Sequence, residues 1–167
     1  KASKHDLKAR ALLNSLGGQN KPILYDVWGS KTGRLTTKNG SFPIMNLKKE
    51  LANCVIPKND LFVQFDLNGA EIRTLLALST GTFPAEDVHE FNIKNVYRGI
   101  GTRDKAKKRF FAWLYNPNAE DYLTERFYNK KEVLSKYYKN GVIHTPLGRK
   151  IPTDDFHALN YLLQSTS

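Results

Sequence analysis

Apolar positions crowd the stretch Leu61-Phe62-Val63-Gln64-Phe65-Asp66-Leu67-Asn68-Gly69-Ala70-Glu71-Ile72-Arg73, and their period changes inside it. Residues 61–65 are mostly apolar and read as a buried strand, whereas Ile72, Leu75, Leu76 and Leu78 follow at helical spacing. Asp66 is thus expected where a strand leaves the core, a placement suited to holding a metal ion. Glu71 lies about one helical turn further on. Asn68-Gly69-Ala70-Glu71 also fits a capping box, with Asn68 as the cap and Glu71 reaching back to it. Spacing alone leaves both readings of Glu71 open.

Upstream, residues 1–16 have helical spacing through Leu7, Ala11 and Leu12 and stop at Gly17-Gly18. Residues 23–28 suggest a strand, 29–40 a loop, 42–47 an extended segment and 48–53 a short helical turn. Pro57-Lys58-Asn59-Asp60 reads as a turn. Downstream the pattern becomes helical over 87–97, 103–115, 119–128 and 131–138. A hairpin then follows over 142–152, turning at Pro146-Leu147-Gly148, and a last helix starts near Thr153-Asp154-Asp155. The predicted class is α+β, with a helical lobe inserted into a sheet-bearing one.

Charge adds a partner class. Lys+Arg 26 against Asp+Glu 16 gives a net charge of +10, which favours a polyanion, most often nucleic acid. A solvated basic surface gives the same count. The single cysteine, Cys54, permits no internal disulfide and suits a reducing cytoplasm. No run of about 18 apolar residues suggests a membrane span. The chain opens inside a basic helical pattern and stops at Gln164-Ser165-Thr166-Ser167 without a helix-ending signal, so both ends are expected to be cut points.

The segment 103–115 carries the most specific chemistry. Arg103, Lys107, Phe111 and Tyr115 recur at intervals of four and share one helix face, beside an apolar face of Ala106, Phe110, Trp113 and Leu114. Cations at one end can take phosphates and aromatic rings at the other can stack on a base. An ordinary amphipathic helix with a solvated basic end shows the same spacing.

Taken together and in order, six pieces resemble family A DNA polymerases, the group of bacterial DNA polymerase I and related phage replicases. They are Thr32-Gly33-Arg34-Leu35; Asp66 with Glu71-Ile72-Arg73; Asp87-Val88-His89; Arg103, Lys107, Phe111 and Tyr115; Gly148-Arg149; and Asn160 with Gln164. The resemblance implies a partial palm, an antiparallel sheet with helices, interrupted by the helical fingers of a right-hand polymerase. Palm would occupy 1–80, fingers 81–140, and the palm hairpin with the start of its following helix 141–167.

It also implies roles. Asp66 matches the first catalytic aspartate bridging two Mg²⁺ ions, with Mn²⁺ as a possible substitute, and the Leu67 carbonyl assists one of them. Glu71 matches the glutamate that leaves no room for a ribose 2′-hydroxyl. His89, Arg103 and Lys107 match triphosphate-binding groups, and Phe111 and Tyr115 the aromatics beside the incoming dNTP. Arg34, Asn46, Arg149, Asn160 and Gln164 look like contacts to the primer–template DNA. A minor-groove acceptor pattern shared by all base pairs would let such groups test pair geometry without reading sequence.

Four positions depart from the family pattern: Leu67 where an aromatic is frequent, Gly69 where a longer polar residue is, Asn116 where glycine is usual, and Phe156 where arginine or histidine is common. The second catalytic aspartate, expected in a His-Asp motif on an apolar hairpin, is missing. His5-Asp6 lies among Lys4, Lys8 and Arg10 and lacks apolar flanks. The implied function is therefore template-directed DNA synthesis by one part of a split or truncated enzyme, inactive without a complementary C-terminal polypeptide. Its expected location is cytoplasmic, in the bacterial host if the chain is phage-encoded. The alternatives are a fragment of a single-subunit RNA polymerase, against which Glu71 argues, and a non-catalytic nucleic-acid-binding module.

Overall fold

The computed structural model describes residues 7–17, 21–47, 51, 55–56, 59–61, 63–116 and 118–167. Several expectations lie outside them: His5-Asp6, Gly18, nearly all of the turn at 48–53, Cys54, Pro57-Lys58 and Phe62. The chain is α+β and forms two compact units, 1–65 and 66–167. They part between Phe65 and Asp66. The residues after Asp66 explain this, because their first helix buries Ile72, Leu75 and Leu76 among helices that come later in the chain.

The first unit contains helix α1 (Leu7–Leu16) and a two-stranded antiparallel ribbon of β1 (Tyr25–Asp26) and β2 (Thr36–Thr37). Tyr25 pairs with Thr37 and Asp26 with Thr36, so the strand expected over 23–28 shrinks to the two residues that find a partner. The extended segment expected at 42–47 instead holds a 3-10 turn, Ile44–Asn46, in which Asn46 N–H donates to the Pro43 carbonyl at 3.0 Å. Proline's fixed φ starts such a turn readily.

The strand expected at 61–65 is also corrected. Among the described residues no strand pairs with it, and Leu61, Val63, Phe65 and Leu67 are exposed, Phe65 by 93%. A strand exists only through its neighbour's hydrogen bonds, and an apolar run cannot announce whether that neighbour is present.

The second unit is largely helical. Its helices are α2 (Ala70–Thr80), α3 (Val88–Asn95), α4 (Arg103–Tyr115), α5 (Tyr122–Tyr128), α6 (Lys130–Tyr137) and α7 (Asp155–Thr166). A three-stranded antiparallel sheet, β3 (Tyr138–Lys139), β4 (Val142–His144) and β5 (Lys150–Pro152), lies between α6 and α7 in sequence. The hairpin read at 142–152 is present, with Ile143 opposite Ile151. β3 is additional. It turns into β4 through Asn140 and Gly141, both at positive φ (52° and 75°), as a tight hairpin requires.

Side-chain caps set most helix starts. Asp87, Thr102, Asp121 and Asp154 each accept from a backbone N–H in the first turn of the helix that follows. The Asp121 cap explains why α5 begins at Tyr122 rather than near Ala119. One core unites the unit. Phe110, Trp113 and Tyr128 meet at centroid distances of 5.1–5.9 Å, alongside Ile72, Leu75, Leu76, Ile143, Leu162 and Leu163. No helix among the described residues is long and apolar enough to cross a membrane.

Candidate functional site

The turn before α2 does not form the capping box that the sequence allows. Gly69 is the cap residue, at φ 64° and ψ 40°, with no side-chain hydrogen bond to the helix. A Cβ there would lie 2.5 Å from Val88 Cγ2, so glycine is required for both conformation and space. The Asn68 side chain turns away and donates its amide to Asp87 Oδ2 at 2.9 Å. Glu71 is thereby released from capping, and its carboxylate accepts the Tyr115 hydroxyl, joining the first turn of α2 to the last residue of α4.

From Tyr115 the aromatic row runs back along α4. Tyr115 and Phe111 stack nearly parallel, with centroids 5.6 Å apart and 5° between planes. His89 on α3 meets Phe111 edge-on at 6.2 Å. His89 is only 3% exposed and its Nδ1 has no hydrogen-bond partner, so in this conformation the ring supports Phe111 instead of facing solvent. Burial holds the imidazole below its usual pKa, although the Asp87 charge pulls the other way.

The cationic end of α4 is anchored as well. Arg103 donates to Asp87 Oδ2 at 2.8 Å, and Asp87 Oδ1 accepts from the His89 and Glu90 N–H groups at 2.9 and 3.2 Å. The Arg103 hydrogen bond is the largest of the influences that hold the Asp87 carboxyl far below the usual carboxylate range. Lys107, one turn along, is exposed.

Arg73, quoted in the sequence motif but given no role there, clamps the same region. Its Nε donates to the Asn68 carbonyl at 2.9 Å and its Nη2 to the Glu86 carbonyl at 2.8 Å, while Nη1 reaches the Pro84 carbonyl. Asp87 and Arg73 are the residues that sequence reasoning undervalued. The signal available for Asp87 was its position as an acidic residue at the start of a helical pattern.

The remaining candidates occupy three places. Arg34 and Asn46 lie in the first unit, both exposed, and the Arg34 carbonyl accepts the Ser30 hydroxyl at 2.8 Å. Arg149 stands at the β4–β5 turn, its N–H donating to Thr145 Oγ1 at 3.0 Å. Asn160 and Gln164 sit one turn apart on α7, and Asn160 Oδ1 is buried without a hydrogen-bond partner.

Asp66 and Leu67 are exposed in an irregular segment. No group of three or more His, Cys, Asp or Glu among the described residues is arranged to hold a metal. One exposed carboxylate does not make a two-ion site, so the described donors do not by themselves fit a pair of Mg²⁺ ions. What the residues assemble is a face of α4 with a fixed cation at its head, stacked rings at its tail and a carboxylate against the last ring. Comparison with known proteins returned no matching family model, no matching curated protein and no matching solved structure.

Proposed function

We propose that the chain contributes the nucleotide-binding part of a family A-like DNA polymerase and works as one piece of a split or truncated enzyme. One relationship supports this most. The Tyr115 hydroxyl binds Glu71 while the Tyr115 ring stacks on Phe111, on the same helix whose first residue is Arg103. A deoxynucleoside triphosphate has an anionic end, a sugar and a flat base, and this face offers cations at one end and, at the other, two rings with a carboxylate beside the last.

In this reading Arg103 and Lys107 hold the triphosphate by charge-assisted hydrogen bonds. Phe111 and Tyr115, stacked on each other, lie beside the base, and His89 backs Phe111. Glu71, held by Tyr115, fills the space a 2′-hydroxyl needs, which favours DNA over RNA synthesis. Arg34, Asn46, Arg149, Asn160 and Gln164 contact primer–template DNA. Asp66 and the Leu67 carbonyl would hold the Mg²⁺ ions that polymerase chemistry uses only together with carboxylates of a complementary polypeptide. The enzyme acts in the cytoplasm.

A primer-extension assay tests the proposal. The 167-residue chain alone should not extend a primer, and adding a polypeptide that carries the missing palm carboxylate should restore dNTP-dependent extension. Robust extension by the chain alone would contradict the split site. Failure of every such complement would contradict the polymerase reading.

A further inference from the structure

The β1–β2 ribbon has a feature that the nucleotide site does not use. Trp28 lies in its connecting loop and is 84% exposed, while the other tryptophan, Trp113, is 1% exposed in the core. Exposing a whole indole forfeits a large burial gain, so a tryptophan held outward marks a contact surface.

The loop is built to hold it there. Asp26 Oδ1 accepts the Trp28 N–H at 2.9 Å, fixing the entry to the loop. Ser30 Oγ donates to the Arg34 carbonyl at 2.8 Å, and Gly33 N–H to the Ser30 carbonyl at 3.3 Å, closing the far side. A Cβ at Gly29 would lie 1.9 Å from Thr36 Oγ1, so the residue after Trp28 packs directly on β2. Thr32, within the loop, is buried.

Charge identifies the occupant. Residues 1–65 contain eleven Lys and Arg against four Asp and Glu, and 21–40 contain Lys21, Lys31, Arg34 and Lys38 against Asp26 alone. Asp26 spends one oxygen on the loop itself. A flat apolar ring within a stretch of sequence rich in cations complements a ligand that is both flat and anionic.

We propose that Trp28 is a stacking platform for an unpaired base of single-stranded nucleic acid, with Lys31 and Arg34 taking the adjacent phosphates. This deepens the polymerase reading and rests on it for the expectation that nucleic acid is the partner. It assigns the loop to the unpaired part of the DNA.

Binding of a single-stranded oligothymidylate, with the corresponding blunt duplex as comparison, tests the assignment in the 167-residue chain. The single strand should quench the red-edge emission of Trp28. Trp28→Ala should weaken single-strand binding about tenfold, leave the slope of affinity against salt unchanged and leave duplex binding nearly unchanged. Trp28→Phe should retain most of the affinity because a ring remains. Unchanged emission at saturation, no loss in Trp28→Ala, or equal losses for both probes would overturn the proposal. So would a self-association that Trp28→Ala abolishes while single-strand binding stays intact. If the unaltered chain binds neither probe, the polymerase reading falls too. If it binds both without involving Trp28, only the stacking platform falls.

Discussion

The Arg103 guanidinium donates to the Asp87 carboxylate at 2.8 Å, and that contact ties the head of α4 to the cap of α3. The same oxygen receives Asn68, so the turn that follows Asp66 is drawn into the arrangement. Asp87→Asn should keep the cap, since asparagine caps as well as aspartate, but it removes the charge and sets an amide against two donors. Asp87→Ala removes the cap too, at a further cost of about 1 kcal/mol. Urea unfolding should therefore rank stability as native above Asp87→Asn above Asp87→Ala. Equal stability of the two variants would mean that the cap contributes nothing.

Gly69 predicts a local sensitivity. Gly69→Ala meets both the left-handed φ and Val88 Cγ2, and should destabilise the chain by about 1–3 kcal/mol. Adding Val88→Ala should relieve the overlap but not the backbone strain, so the double variant should regain only part of the loss beyond the cost of Val88→Ala itself. Denaturation midpoints of the set would show this, and a neutral Gly69→Ala would refute it.

Acid should reach His89 before Asp87. The buried imidazole titrates below 6.5, so the unfolded chain binds a proton first as pH falls. Its contribution to stability is fully present above 6.5 and is lost as pH drops from there through the lowered folded value. Asp87 follows the same direction at lower pH, losing its contribution only below about 3.8. Stability measured between pH 7 and 5 should decline in the native chain and be flatter in His89→Gln. Parallel profiles would remove His89 from the account.

The sugar filter makes a separate prediction for the assembled enzyme. Glu71→Ala should raise ribonucleotide incorporation relative to deoxyribonucleotide at least tenfold, since removing the side chain opens the space it fills (about 1.4 kcal/mol per tenfold change). Tyr115→Phe removes one hydrogen bond to Glu71 without deleting the carboxylate and should have a smaller effect in the same direction. Competition between labelled rNTP and dNTP measures both.

The legible parts of this fold are those whose signals are local. Helix α4 runs over 103–115 as its four-residue spacing indicates, and the β4–β5 hairpin follows from its Gly148 turn. The illegible parts depend on distant partners. The run at 61–65 has strand composition but no described strand beside it, and the Asn68–Glu71 box is undone by Asp87 and Tyr115, 19 and 44 residues away. Of the candidate site, spacing gathered Arg103, Lys107, Phe111 and Tyr115 correctly onto one face. It could not foresee that His89 would be buried behind that face, because burial is a property of the assembled core.

Titration of the 167-residue chain with a fluorescent dNTP probes the α4 face most directly. The account predicts saturable binding that Arg103→Ala and Lys107→Ala each weaken about tenfold, the loss expected for a hydrogen bond to a charged group. It also predicts weaker binding of the matching rNTP, with the difference reduced in Glu71→Ala. Absence of saturable binding, or affinities indifferent to Arg103, Lys107 and Glu71, would contradict the assignment of this face to an incoming deoxynucleotide.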